Sequence, residues 1–213
     1  MTIIDDIFLY LGILLNIINV FLYALSYKKN SKNLTYKLFS LYLLCELIIN
    51  ISVFILSSYK EHNLFLTHYY FILQYVILSL FYKTLFKNGQ KQLVTVVFIP
   101  VLAILAIQYA MQPELYFKFN TTEVFITSLP IVVYSMIHLY NSLNESPKYM
   151  YINAGVLIYI TTSTLIFILG DYLSGNSSSS VDTIWFINEV LYVIYLALIF
   201  IEWWRNFRVI KNK

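Results

Sequence analysis

Seven long apolar runs, separated by short polar breaks, dominate this sequence. The hydrocarbon core of a bilayer is about 30 Å thick, and an α-helix needs about 20 apolar residues to cross it. A helix also satisfies its own backbone N–H and C=O groups, which hydrocarbon cannot do. We therefore predict an all-α integral membrane protein, a seven-helix bundle that forms a single domain over residues 1–213. The predicted spans are Ile7–Ser26, Leu38–Ser57, Leu64–Tyr82, Leu93–Ala110, Val124–Tyr140, Tyr151–Gly170 and Ile184–Ile201.

The composition agrees with a membrane bundle. Hydrophobic residues make up 60% of the chain and charged residues only 12%, whereas about 25% of the residues in a soluble domain are charged. Aromatic residues reach 18%, a surplus that suits anchoring at two water–lipid interfaces. The first residues, MTIIDD, are acidic, unlike the basic start of a secretory signal peptide, so we expect the first helix to be retained.

The basic residues predict the orientation of the bundle. Of the 14 Lys and Arg residues, all except Lys60 and Lys118 fall on one side of the seven spans. By the positive-inside rule, the N-terminus is then outside and the C-terminus is in the cytoplasm. Trp203, Trp204 and Arg205 end the last span and are expected to be interfacial anchors, with a binding motif for a cytoplasmic partner as the alternative.

Polar residues at similar depth in five spans are the candidate functional residues, because such residues are costly inside a membrane. For the amides and threonines we favour interhelical hydrogen bonding. For Glu46 and Glu189 we favour function, because a carboxyl group in hydrocarbon must be protonated or paired and no Lys or Arg lies inside any span. The fourth and fifth spans offer almost nothing at this depth. The candidates for binding a ligand or a proton are Asn16, Asn19, Glu46, Asn50, Gln74, Thr161, Thr162, Asn188 and Glu189.

Several function classes find no support in the sequence. The net charge of +3 does not predict nucleic-acid binding, because the basic residues border the spans and form no patch. Cys45 is the only cysteine, so an intrachain disulfide and a thiolate metal cluster are excluded. The chain has neither HExxH nor GxSxG, and we predict no catalytic residue and no metal site. The last span lacks a lysine for a retinal Schiff base, so we expect no retinal and no other cofactor.

Two internal similarities suggest a repeat. The segment FILQYVILSLFYK at 71–83 resembles FINEVLYVIYLAL at 186–198, and this alignment matches Gln74 with Glu189. Likewise, ISVFILSSY at 51–59 resembles TLIFILGDY at 164–172. In topology the chain is similar to SWEET and PQ-loop carriers, which have two three-helix repeats joined by a linker helix, although no Pro-Gln motif is present. That resemblance implies transport of a small solute, with or without protons.

Three segments resemble small seven-helix proteins of Bacteroidota that have no assigned activity. They are YYFILQYVILSLFYK at 69–83, YINAGVLIYITTSTLIFIL at 151–169 and WFINEVLYVIYLALIF at 185–200. Such proteins are often encoded beside sensor histidine kinases, which implies a sensory or partner-subunit role.

These observations favour a sensor or signalling partner subunit that passes a stimulus to a membrane or cytoplasmic protein, with a sensor kinase as one candidate partner. The short tail after Trp204 has no room for an output domain, so the chain is expected to act through that partner. Assembly into a homo-oligomer is a further alternative. A small-solute or proton-coupled transporter is the alternative, and an intramembrane enzyme on a lipid substrate is the second. The Lys-, Asn- and Ile-rich composition fits an AT-rich bacterial genome, so we expect a multi-pass protein of the bacterial inner membrane.

Overall fold

A computed structural model describes residues 3–143, 148–173 and 178–208, with side chains for 7–143, 148–170 and 183–208. Seven of its helices are long and apolar enough to cross a membrane, which confirms the predicted seven-helix fold and a multi-pass membrane protein. Among the charged residues near the ends of the chain and of the predicted spans, the side chains of Asp5, Asp6, Asp171, Asp182, Lys211 and Lys213 lie outside the described residues. The helices are α1 (Ile3–Leu25), α2 (Leu34–Ser58), α3 (Phe65–Leu85), α4 (Asn88–Met111), α5 (Thr121–Ser142), α6 (Met150–Leu173) and α7 (Ser178–Glu202).

The helices extend beyond the apolar runs that predicted them. α2 begins at Leu34, before the predicted Leu38, because the Asn33 side chain caps it by accepting a hydrogen bond from the Tyr36 backbone N–H at 3.3 Å. Side chains of this kind satisfy the first N–H groups of a helix, and they belong to the interface rather than to hydrocarbon. Hydropathy therefore located the spans but underestimated the lengths of the helices. Two connections contain short helices, one turn at Tyr27–Asn30 and a 3-10 helix at Pro113–Phe117, and a π-helical turn at Trp203–Phe207 follows α7.

Six of the seven helices form a closed ring, and α4 lies outside it. Around the ring, α1 packs on α2, α2 on α3, α3 on α5, α5 on α6, α6 on α7, and α7 returns to α1. α4 packs on α3 and, less extensively, on α5. Its other face carries exposed apolar side chains such as Val96, Ile99 and Ile107, as expected of a helix surrounded by lipid. We call the end where α1 begins the Lys-poor end, and the opposite end the Lys-rich end.

Aromatic side chains fill the interior of the Lys-rich half. The Tyr36 and Phe207 ring centroids are 4.9 Å apart, and Phe81 lies 5.4 Å from both Phe39 and Tyr149. Such edge-on and offset contacts add to the stabilisation that ring burial gives. The aromatic surplus therefore serves the core as well as the interfaces, which the composition alone did not predict. The largest fully buried side chains include Tyr23, Tyr36, Tyr75, Tyr82, Tyr134, Tyr149 and Tyr195.

At the same end, a side chain of α7 caps the N-terminus of α6. The Glu202 carboxylate accepts hydrogen bonds from the backbone N–H groups of Tyr149 at 2.8 Å and Tyr151 at 2.9 Å. These are first-turn donors that have no partner inside their own helix, and a carboxylate also suits the positive end of the helix dipole. The Lys-rich half is thus closed by packing and by a carboxylate cap.

Gly155 allows α6 to approach α7 closely, and we expect it to be sensitive to substitution. A Cβ atom at this position would lie 2.8 Å from Cδ2 of Tyr195. Tyr195 cannot retreat, because it is buried and its ring stacks on Tyr159 at 5.2 Å. Overpacking costs about 1–3 kcal/mol, and alanine gains back about 1 kcal/mol of helix propensity.

We therefore predict that Gly155→Ala lowers the free energy of unfolding by about 1 kcal/mol, measured by thermal denaturation in detergent micelles. Gly89→Ala is the matched control, since a Cβ atom there meets nothing within 4 Å. Equal stability of the two variants would contradict the close approach of α6 and α7.

Candidate functional site

A cavity of about 370 Å³ lies inside the ring at the Lys-poor half. It reaches from the middle of α2, α6 and α7 to the Lys-poor ends of α1, α2 and α3. Its wall is apolar, and its polar side chains gather mainly at the mid-bundle floor. The lining residues are Phe8, Leu9, Ile13, Ile49, Asn50, Val53, Phe54, Ser57, Leu66, Thr67, Tyr70, Phe71, Tyr159, Phe167, Asn188, Glu189 and Tyr192. An apolar site with a few converging polar groups is the usual form of a small-molecule binding site.

The Tyr192 hydroxyl joins three helices at the floor of the cavity. It accepts one hydrogen bond from Nδ2 of Asn16 on α1 at 3.0 Å and another from Nδ2 of Asn50 on α2 at 2.7 Å. Asn50 and Tyr192 also line the cavity. A molecule that contacts Tyr192 therefore touches a polar group that connects α7 to α1 and α2.

Glu46 lies one helical turn from Asn50 on α2, deeper than the cavity lining, and is 2% exposed. A carboxyl group at this depth is expected to face the interior of the bundle rather than lipid, and Glu46 does so. Five tyrosines surround it: Tyr42, Tyr70, Tyr159, Tyr192 and Tyr195. Neither carboxyl oxygen makes a hydrogen bond of normal geometry within the described part of the chain.

The remaining predicted candidates divide between cavity and core. Asn188 and Glu189 line the cavity, whereas Gln74 is 4% exposed and is not among the described lining residues. Gln74 and Glu189, which the internal sequence similarity aligns, therefore lie in different surroundings. Asn19 donates to the Leu196 carbonyl oxygen at 2.9 Å, a bond that joins α1 to α7. Thr161 and Thr162 are half-buried on α6, away from the lining.

A second polar cluster lies at the Lys-poor ends of α3, α4 and α5, and sequence reasoning missed it. Nδ1 of His68 is 2.5 Å from Oε2 of Glu123, and the Tyr109 hydroxyl is 2.7 Å from both atoms. His68 and Glu123 are almost completely buried. Their positions in the sequence indicate only an interfacial histidine and one of the acids on the Lys-poor side. Neither residue lies near the other in sequence, so only the packing of α3 on α5 reveals the pair.

These three groups bond to one another rather than forming a metal cage. Ligand atoms around a tetrahedral zinc ion sit about 2.0–2.2 Å from the metal, and donors that share one ion must then lie farther apart than 2.5–2.7 Å. Within the described residues, no group of three or more His, Cys, Asp and Glu side chains is placed to hold a metal ion.

α5 contributes more polar side chains than the sequence suggested. Thr127, Ser128 and Ser135 are buried on this helix. Nδ2 of Asn153, on α6, donates to the Ser135 carbonyl oxygen at 3.1 Å, and its Oδ1 accepts from the Tyr82 hydroxyl at 2.8 Å. The expectation that the fifth helix offers almost nothing was wrong, because hydroxyl groups are small enough to be inconspicuous in an apolar run.

The three residues expected as interfacial anchors differ in their environments. Trp204 is 52% exposed, and the Arg208 guanidinium lies 4.2 Å from the centre of its ring. Trp203 is 8% exposed and donates from Nε1 to the Ser26 hydroxyl at 2.9 Å. Arg205 is exposed and bonds to the Tyr151 hydroxyl. Neighbouring side chains of a helix point about 100° apart, so Trp203 faces the bundle while Trp204 faces its surroundings.

No family model, no curated protein and no solved structure matches this chain. The functional interpretation of the candidate site therefore depends on its geometry alone.

Tyr192→Phe tests the connection at the cavity floor. The change removes the acceptor of two amide groups, of which Asn16 is buried and Asn50 half-buried, and we expect the free energy of unfolding to fall by about 1–2 kcal/mol. Tyr140→Phe is the matched control, because Tyr140 is 70% exposed on α5. Thermal denaturation in detergent micelles compares the two variants, and an unchanged Tyr192→Phe protein would mean that the hydroxyl does not join the helices.

Proposed function

We propose that this chain is the ligand-binding membrane subunit of a sensory or signalling assembly. In this role a small molecule enters the cavity at the Lys-poor half, and its presence is passed to a membrane or cytoplasmic partner protein. The observation that carries the proposal is the asymmetry of the interior: one half contains a cavity with a polar floor, and the other half is filled with packed aromatic rings.

This asymmetry suits binding better than passage. A carrier needs a central site that becomes accessible from either side by movement of one repeat against the other. Here the rings of Tyr36, Phe39, Phe81, Tyr149 and Phe207 form a continuous cluster below the cavity. Opening a path through the cluster would separate several buried aromatic contacts, each worth about 0.5–1.5 kcal/mol beyond the area that it buries.

α7 offers a direct route from the cavity to the opposite end. Asn188, Glu189 and Tyr192 face the cavity from α7, and the same helix leads to the π-helical turn at Trp203–Phe207. A ligand that shifts Tyr192 acts on its bonds to α1 and α2, and a continuous helix carries such a shift over its whole length. The Lys-rich end would then be the surface that the partner protein binds.

The orientation and the location belong to the same proposal. By the positive-inside rule, the basic residues at the Lys-rich end support a cytoplasmic location for that end, with the N-terminus and the cavity on the outer side. The bacterial inner membrane, a sensor kinase as partner and assembly with further copies of the chain are the finer expectations. They draw support from the charge distribution, the composition and the resemblance to proteins encoded beside kinases.

A small-solute carrier is the second candidate, and one observation favours it. α4 lies outside the ring, between two sets of three helices, α1–α3 and α5–α7, and the order of neighbours within each set is the same. A linker helix between two three-helix repeats would occupy this position. The closed aromatic half counts against this candidate.

The orientation is tested with reporter fusions in the connections. A fusion at Asn88, at the start of α4, should report a cytoplasmic location, and a fusion at His62, between α2 and α3, should report the exterior. The physical reason is the cost of moving the Lys-rich connections across the membrane. The reverse pattern would invert the proposed orientation.

The sensory role is tested by copurification and transport on one pair of variants. Val53 lines the cavity, whereas Val96 is 70% exposed on the outer face of α4. Copurification from native membranes should retain a stoichiometric partner, and Val53→Phe should change the activity or retention of that partner while Val96→Phe should not. Proteoliposomes should show no saturable uptake across a panel of sugars, amino acids and ions. Saturable uptake that Val53→Phe abolishes would establish the carrier instead.

A further inference from the structure

We infer that the surface where α6 begins and α7 ends binds the head group of an anionic phospholipid. Three exposed basic residues carry this site, and we call Lys148, Arg205 and Arg208 the basic cluster. The inference is independent of the cavity and of the proposed function. It follows from the positions of the three side chains, from the state of the neighbouring acid and from the apolar surface that continues along α7.

Two helices bring the basic cluster together. The Glu202 carboxylate on α7 accepts hydrogen bonds from the backbone N–H groups of Tyr149 and Tyr151, which fixes the start of α6 against the end of α7. Lys148 directly precedes this point of contact. Arg205 bonds to the Tyr151 hydroxyl, so its side chain extends from α7 toward α6. Cations from two distant parts of the sequence therefore share one small surface.

Aromatic rings orient the two guanidinium groups. The guanidinium of Arg208 lies 4.2 Å from the centre of the Trp204 ring, and that of Arg205 lies 5.4 Å from the centre of the Tyr151 ring. A guanidinium that stacks on a ring keeps N–H donors at its edge, where they suit bidentate bonding to a phosphate. Because the rings already restrain these side chains, less side-chain freedom is lost on binding, which favours a specific site over diffuse attraction.

The acid at this end is already bonded within the protein. Among the described acids, Glu202 alone lies at the Lys-rich end, and it is fully buried. Its oxygens accept from the two backbone N–H groups of α6 and from Nδ2 of Asn206 at 2.5 Å. The carboxylate therefore serves as a helix cap inside the bundle. The described surface above it presents positive charge, which complements an anionic group from outside.

An apolar surface continues from the cluster along α7 and favours a lipid over an acidic protein segment. Ile194, Ile201 and Trp204 are exposed. Ile194, Ile201 and Arg205 follow one another at intervals of seven and four residues, so they share one face of the helix. From Ile194 to Arg205 the helix rises about 16 Å, close to half of the hydrocarbon core of about 30 Å and thus to the depth of one leaflet. A phospholipid joins a phosphate to an acyl chain over this distance, whereas a peptide in water has no contact to make with the exposed isoleucines.

Brominated lipids test the site in nanodiscs of phosphatidylcholine. Bromine atoms on an acyl chain quench tryptophan fluorescence on contact, and Trp204 is the reporter, with the signal of Trp204→Phe subtracted. Brominated phosphatidylglycerol and brominated phosphatidylcholine carry the same chains and differ in the charge of the head group. We expect the anionic lipid to half-quench Trp204 at about one tenth of the mole fraction that the zwitterionic lipid needs. Salt at about 1 M should lower this preference, because it screens exposed charges.

Paired removal of charge locates the site. Arg205→Gln combined with Arg208→Gln should make the two lipids quench equally. Lys60→Gln combined with Lys118→Gln is the matched control, because it removes the same charge from exposed residues of the Lys-poor end, and it should leave the preference unchanged. Where the arginine variant fails to fold, the comparison of the two lipids and its salt dependence on the unaltered protein still measure the preference.

Equal quenching by the two lipids in the unaltered protein would overturn the inference. A preference that survives the loss of both arginines, or that the lysine control lowers as much, would also overturn it, since the attraction would then be diffuse. Displacement of the anionic lipid by a soluble oligoglutamate peptide would assign the basic cluster to an acidic protein partner instead. These results concern a surface remote from the cavity, so the sensory proposal stands or falls by its own experiment.

Discussion

The whole structure depends on the absence of water from the hydrocarbon core of a membrane. Each of the seven helices satisfies its own backbone, so polar side chains are left to find partners on other helices. Asn16 and Asn50 meet at the Tyr192 hydroxyl, and Tyr82 meets Asn153. These bonds connect α1, α2 and α7 at one point and α3 with α6 at another. They therefore fix which helices are neighbours and how each is rotated, which apolar contact with lipid cannot do.

The interiors of the two halves of the bundle are packed differently. The Lys-rich half combines aromatic packing with the Glu202 cap on α6, and each of these features restrains the chain. The Lys-poor half has fewer buried rings and surrounds a cavity of about 370 Å³. Regions with few packed contacts are where binding and motion concentrate in proteins. A rigid end joined to a more open end by the continuous helix α7 suits a protein that receives at one end and reports at the other.

The sequence predicted the spans because hydropathy depends only on local composition, and seven apolar runs of sufficient length leave little choice. It also predicted Glu46 in the interior, since a carboxyl group cannot face lipid at that depth without great cost. It could not predict the ring order or the pair of His68 and Glu123, because both depend on the packing of α3 against α5. Tyrosine misled the interpretation for a physical reason. Its ring suits an interface and its hydroxyl suits a buried hydrogen bond, so composition cannot separate the two uses.

The buried amides differ in how completely they are bonded. Asn153, at the start of α6, uses both ends of its amide to join α3, α5 and α6. Asn16 and Asn19 on α1 donate to α7, but the Oδ1 atom of each is buried and makes no hydrogen bond within the described residues. A buried acceptor in that state costs about 1–3 kcal/mol. Asn16 and Asn19 therefore contribute less net stability than Asn153, although their bonds still fix how α1 and α7 are rotated against each other.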